Sequence, residues 1–252
     1  MNEIRKYLLI TFFITYVFWG LTAILSTLNL YIHPTYNIGI VFYIIAVCAP
    51  AISVYIVFQK REDTRGIRYF LKNSFSIKRP VAEVSLIIIF TFTYYVVPFI
   101  FNEVSIFGNW LQVIIFTPLM FVFGGFEEIG WRGFLQPKLE AKFGFFIATL
   151  INSGIWMIWH LPLNFIQGTY QYSNGYFWSA VSWVGLAFSL ATIRRIGGGV
   201  FACIFMHALF NAISSYYLSI NSGLGIVVAS CLQISIAMGI VAIFFKKKHI
   251  KY

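Results

Sequence analysis

The chain has 252 residues, 60% hydrophobic and only 10% charged, with a mean hydropathy of +0.81. A water-soluble domain carries about 25% charged residues, so this composition excludes one and indicates an integral membrane protein. The net charge of +10 does not indicate nucleic acid as a partner, because Lys and Arg fall in short clusters separated by uncharged runs long enough for one or two spans, a pattern that marks the cytoplasmic side.

Apolar runs of about 20 residues predict helices, whereas barrel strands would give alternating segments of about 10. Segment one covers 7–28; Arg5 and Lys6 precede it as in a signal peptide, but its length and the spans that follow make it a retained helix. A polar loop around His33 leads to segment two, 38–58. The loop 59–80 holds seven basic residues with Phe and Ile interspersed, suited to an anionic leaflet. Segment three covers 84–101, and 102–109 is read as a short turn. Segment four runs from Trp110 to Gln136 and Pro137 and carries Pro118 and a Gly-Gly pair. Between Phe143 and Ile193 no Asp, Glu, Lys or Arg occurs over 51 positions. That run predicts segments five (145–166) and six (177–192) around a polar hairpin. Segments seven (198–218) and eight (224–245) follow, and Lys246, Lys247 and Lys248 close the last.

The expectation is therefore an all-α bundle of about eight transmembrane helices with both termini cytoplasmic. This topology puts all 18 basic residues at or near one face. The chain reads as a single membrane domain, 1–252: a scaffold of segments one to three (7–102), a catalytic core of segments four to seven (110–218), and helix eight. Cys48, Cys203 and Cys231 lie in apolar segments without CxxC spacing, which points to lipid- or core-facing thiols.

The chemistry gathers around Gly124-Gly125-Phe126-Glu127-Glu128. Ionisable groups at membrane depth are costly and mark function. On a helix Glu128 and Arg132 are four apart and share a face, while Glu127 points about 100° away. Arg132 can hold Glu128 as a carboxylate, leaving Glu127 able to take a proton from water. Gly124 and Gly125 let another backbone approach. His160 stands alone on its helix, with Trp156 one turn earlier and able to support the imidazole. His207 and Asn211, four apart, can aim two donors at one point, as a developing oxyanion requires. Taken singly, each motif is equally a structural pair: a Glu-Arg pin, a core histidine, an interhelical bond. Together they are the parts list for hydrolysing a carbonyl compound. A zinc ion on Glu127, His160 and His207 with water as fourth ligand is an alternative.

At these residues the chain resembles the CPBP intramembrane protease family, which includes the type II CAAX prenyl endopeptidases and the bacterial Abi proteins associated with bacteriocin self-immunity. The family pattern is Glu-Glu-x-x-x-Arg, an aromatic-x-x-x-His, and His-x-x-x-Asn/Asp; here it reads Glu127-Glu128 with Arg132, Trp156 with His160, and His207 with Asn211. Trp156 replaces the usual Phe. The resemblance covers about Leu111 to Ser215. It implies an endopeptidase without cofactor, in which Glu127 and His160 activate water, His207 and Asn211 hold the oxyanion, and Glu128, Arg132 and Trp156 support the site. The substrate would be a peptide or protein at a bacterial cell membrane. Two rival readings are a non-catalytic immunity or partner-binding protein and, further off, a proton-coupled transporter.

Overall fold

The computed structural model describes residues 2–28, 30, 38–59, 64–221 and 223–249. The polar loop expected around His33 and the start of the basic loop at 60–63 lie outside them. The elements in order are α1 (Asn2–Thr27), α2 (Ile38–Val47), α3 (Ala49–Gln59), α4 (Thr64–Ser74), α5 (Pro80–Ile100), β1 (Val104–Ile106), α6 (Trp110–Met120), α7 (Glu127–Gly130), α8 (Gln136–His160), α9 (Tyr170–Asn174), α10 (Tyr176–Gly197), α11 (Phe201–Tyr216), β2 (Leu218–Ile220) and α12 (Leu224–His249). This is an all-α membrane protein. Five helical stretches are long and apolar enough to cross a bilayer, six if α2 and α3, bent by 54°, count as one; two shorter apolar helices cover 110–125 and 201–216.

Local chemistry explains the boundaries. Pro80 opens α5, where its missing N–H costs nothing. The Asn109 side chain caps α6 by accepting from Gln112 N at 3.0 Å. Gly198, at φ 89°, ends α10 in the left-handed conformation, its N–H bonded to Arg194 O. Four features differ from the sequence reading. The basic loop 59–80 carries a helix, α4, and segment two is bent by 54° between α2 and α3. The 102–109 turn contains a strand: β1 pairs antiparallel with β2, Ser105 opposite Ser219. Segment four is not one helix, because the chain breaks at Phe123 and Gly124 before the acids, and a second break at Gly144 (φ 72°, ψ 172°) divides α8.

Lipid tails are as apolar as Leu, so close packing rather than apolar burial holds membrane helices together. At Gly130 a Cβ would lie 2.6 Å from Pro50 Cβ and would also meet the Tyr7 hydroxyl. This glycine lets α1 and α3 close directly on α7. Trp19, Trp131, Trp156 and Trp159 are almost fully enclosed; ring centroids are 4.7 Å apart for Trp19 and Trp159 and 5.6 Å for Trp131 and Trp159, and Trp156 joins them through the His160 ring. Against them stand the buried polar groups.

Candidate active site

The break in the helix builds one side of the site. After α6 a single π-helical turn, Phe121–Gly125, leaves helical geometry at Phe123 (φ −89°, ψ 39°) and Gly124 (φ 146°, ψ −45°). A broken helix frees a carbonyl, which inside a membrane must find a protein partner. Asn211 of α11 supplies it, its Nδ2 donating to Phe123 O at 2.9 Å. A Cβ on Gly124 would collide with that same Nδ2 and lie 3.3 Å from His207 Nε2. The Asn211 amide and His207 Nε2 thus converge on one small volume, open because residue 124 has no side chain. The φ of 146° also favours glycine there.

Beyond the break, α7 presents Glu127 and Glu128, 3% and 0% exposed. Glu128 Oε1 accepts from Arg132 Nη1 at 3.1 Å and from His207 Nδ1 at 2.8 Å, and its Oε2 lies 3.0 Å from the same Nη1. With Nδ1 spent on Glu128, Nε2 is the His207 nitrogen left facing Gly124 and Asn211. Glu127 diverges as helical spacing requires, and its Oε2 accepts the indole N–H of Trp156 at 3.0 Å.

Trp156 makes two kinds of contact. It supports the His160 imidazole through its backbone, His160 Nδ1 donating to Trp156 O at 2.9 Å. The indole orients Glu127 and is the centre of the cluster. The Arg132 guanidinium carbon stands 4.7 Å from its ring centroid, and the rings of His160 and His207 are 5.2 and 5.6 Å away. Glu127 and His160 therefore meet through Trp156 rather than by a direct hydrogen bond.

The His160 ring stacks on Trp183 of α10 at 4.5 Å and 23°, with Trp159 edge-on at 4.6 Å and Trp19 of α1 at 6.2 Å. Tyr43 of α2 packs on Phe123 at 5.9 Å. Sequence reasoning missed these walls, since a tryptophan in an apolar run carries no sign of which face it takes. It also missed a buried amide relay behind the site. Asn152 Nδ2 donates to Trp131 O and to Gln136 Oε1, at 3.2 and 2.8 Å, and Gln136 Nε2 donates to Thr149 Oγ1 and Glu140 Oε1. Arg195 of α10 pairs with Glu140. This relay clamps the turn that carries Arg132 onto α8. The signal available was the run of polar residues Gln136, Glu140, Thr149 and Asn152 inside an apolar segment.

The zinc alternative concerns Glu127, His160 and His207. Among the described residues no three His, Cys, Asp or Glu side chains are grouped so that they could hold a metal ion.

A buried carboxylate held by an indole, an Arg-Glu-His chain beside it and two nitrogens converging at a helix break make up the candidate site. Residues 86–213 match the Rce1-like family, described as type II CAAX prenyl endopeptidase Rce1-like, and the chain belongs to that family of membrane endopeptidases. It is also similar to CAAX prenyl protease 2 of Methanococcus maripaludis, 27% identical over 201 residues that cover 75% of this chain and 72% of that protein. Both likenesses fall in the prenyl-endopeptidase branch of the resemblance, and neither names a bacteriocin-immunity protein.

Proposed function

We propose that the protein is an intramembrane endopeptidase that cuts a peptide bond with a water activated by Glu127 and His160, without a metal. Glu127 takes a proton from the water as its oxygen attacks the scissile carbonyl carbon. His160 holds the water through Nε2, the nitrogen left when Nδ1–H is given to the Trp156 carbonyl. The carbonyl oxygen becomes an oxyanion in the space beside Gly124, where Asn211 Nδ2 and His207 Nε2 donate to it. In this role His207 is an imidazolium whose Nδ1–H rests on Glu128. The tetrahedral intermediate collapses as the proton on Glu127 passes to the leaving nitrogen, and an acid and an amine are released.

The observation that carries this reading is the convergence of the two donors on a volume emptied by Gly124, next to a carboxylate aimed by Trp156. Donors aimed at an oxyanion supply about 10²- to 10³-fold each, and a positioned general base about 10²- to 10⁴-fold. The name of the archaeal relative makes a farnesylated peptide ending in a CAAX sequence the first substrate to offer. The setting is a multi-pass protein of a bacterial cell membrane, with both termini on the cytoplasmic face that gathers the 18 basic residues.

The test is Glu127→Gln in proteoliposomes, with such a peptide and a folding control by circular dichroism. Cleavage should fall by about 10²-fold or more, the scale of a lost general base. Cleavage at the wild-type rate by folded Glu127→Gln would overturn the assignment and favour a non-catalytic, helix-pinning role for the cluster.

A further inference from the structure

Away from the candidate active site, α1 and α8 part at their amino-terminal ends and leave a groove of about 1090 Å³. The two helices rejoin further along, where Tyr16 Oη donates to Ile158 O at 2.6 Å. At the mouth, Lys138 and Glu3 are ion-paired at 3.0 Å. Arg5 and Lys142 also line the groove, and both are exposed. Neither makes an ion pair among the described residues; the Lys142 ammonium lies 4.9 Å from the ring centroid of Phe143. With Glu3 offset by Lys138, the mouth keeps two positive charges. Deeper in, the α1 wall is Leu8, Leu9 and Phe12, faced by Leu139 and Phe143 of α8. Leu9 is 61% and Phe143 42% exposed, so the apolar wall opens outward to the bilayer.

We propose that this groove binds an anionic phospholipid, with the phosphate between Arg5 and Lys142 and an acyl chain along Leu8, Leu9 and Phe12. A volume at the top of the ~300–1,000 Å³ range of small-molecule sites exceeds what a phosphate ion fills. An apolar wall open to lipid calls for hydrocarbon rather than water. The charge of the mouth selects the headgroup. A phosphatidylglycerol phosphate offsets the two cations, whereas the choline of a zwitterionic lipid adds a third positive charge beside them. Arginine and lysine near a membrane surface each favour anionic lipid by about fivefold.

The full-length protein, purified in detergent with equal phosphatidylglycerol and phosphatidylcholine, tests this by native mass spectrometry of retained lipid. The expected result is a preference for phosphatidylglycerol of about 25-fold, from two cations at about fivefold each. R5Q/K142Q should bring the ratio to about one. Lys6→Gln removes the same kind of charge from the same helix end but from outside the groove wall, and should leave the preference standing. Leu9→Trp, which fills the groove and keeps its charges, should cut total lipid retained. Equal retention of the two lipids by the wild type, or a loss in R5Q/K142Q no larger than in Lys6→Gln, overturns the site in favour of general surface charge. Displacement of phosphatidylglycerol by inorganic phosphate, or by a farnesylated peptide, overturns it in favour of a free anion or a prenyl occupant. The readout is binding, so it stands apart from any result on proteolysis.

Discussion

Replacing Gly124 by alanine tests the oxyanion reading at its narrowest point. The backbone there has φ 146° and ψ −45°, and the new Cβ would strike Asn211 Nδ2 and stop 3.3 Å from His207 Nε2. An L-residue held in such a region costs about 1–3 kcal/mol. The collision displaces the Asn211 amide from Phe123 O, a bond of 2.9 Å, and pushes it from the place where it would meet the oxyanion. Loss of one such donor costs about 2.7–4 kcal/mol of transition-state stabilisation, so kcat for Gly124→Ala should fall about 10²- to 10³-fold with KM little changed. Initial rates on a fluorogenic farnesylated peptide in proteoliposomes give both constants, and a thermal melt reports the strain. A double-mutant cycle with Asn211→Ala isolates the cause. If Gly124→Ala acts through Asn211, the double variant should be no slower than the worse single one by more than about 0.5 kcal/mol. Gly125→Ala is the comparison: its Cβ would press on Ile204 O at 3.0 Å, so it should lower stability and spare kcat. Wild-type turnover by Gly124→Ala, or fully additive losses in the cycle, would refute the reasoning.

Three further outcomes are expected. Trp156→Phe keeps the aromatic packing but removes the indole N–H that Glu127 Oε2 accepts; a hydrogen bond to a charged group is worth about 1.5–3 kcal/mol, so kcat should drop roughly 10- to 100-fold at near-wild-type melting temperature, and an unchanged kcat would remove Trp156 from the positioning of Glu127. Glu128→Ala strands Arg132, which is 1% exposed, and should destabilise the fold by about 3–5 kcal/mol; E128Q/R132M should recover most of that stability in the same denaturation assay, whereas equal losses in both variants would contradict a stranded-charge origin. Prolonged chelation should leave the cleavage rate unchanged, with less than one equivalent of metal in the purified protein; a rate lost to chelator and restored by zinc would return the metal reading.

The site's local pairs were legible in the chain because an α-helix repeats every 3.6 residues. That repeat alone places Glu128 with Arg132, turns Glu127 away, and sets His207 and Asn211 on one face. The same local logic did not foresee the break at Phe123 and Gly124. Glycine and proline in an apolar run are tolerated in a membrane helix wherever neighbours satisfy the freed backbone, and the neighbour here is Asn211, 88 residues away. The pairing of β1 with β2 was hidden for a related reason, since three-residue strands of Val, Ser, Ile and Leu, Ser, Ile carry too little alternation to stand out.

Sequence alone determined that this is a helical membrane protein, because apolar runs of about 20 residues call for helices in lipid, and it singled out Glu127, Glu128 and Arg132, because charge at membrane depth is costly. Only the tertiary structure decided which nitrogen meets which oxygen: the Trp156 indole N–H on Glu127, and His207 on Glu128 across 79 residues of chain. Those contacts depend on how helices pack around small residues such as Gly130 and around a ring of tryptophans. Side-chain volumes settle that packing jointly, and no single segment encodes it.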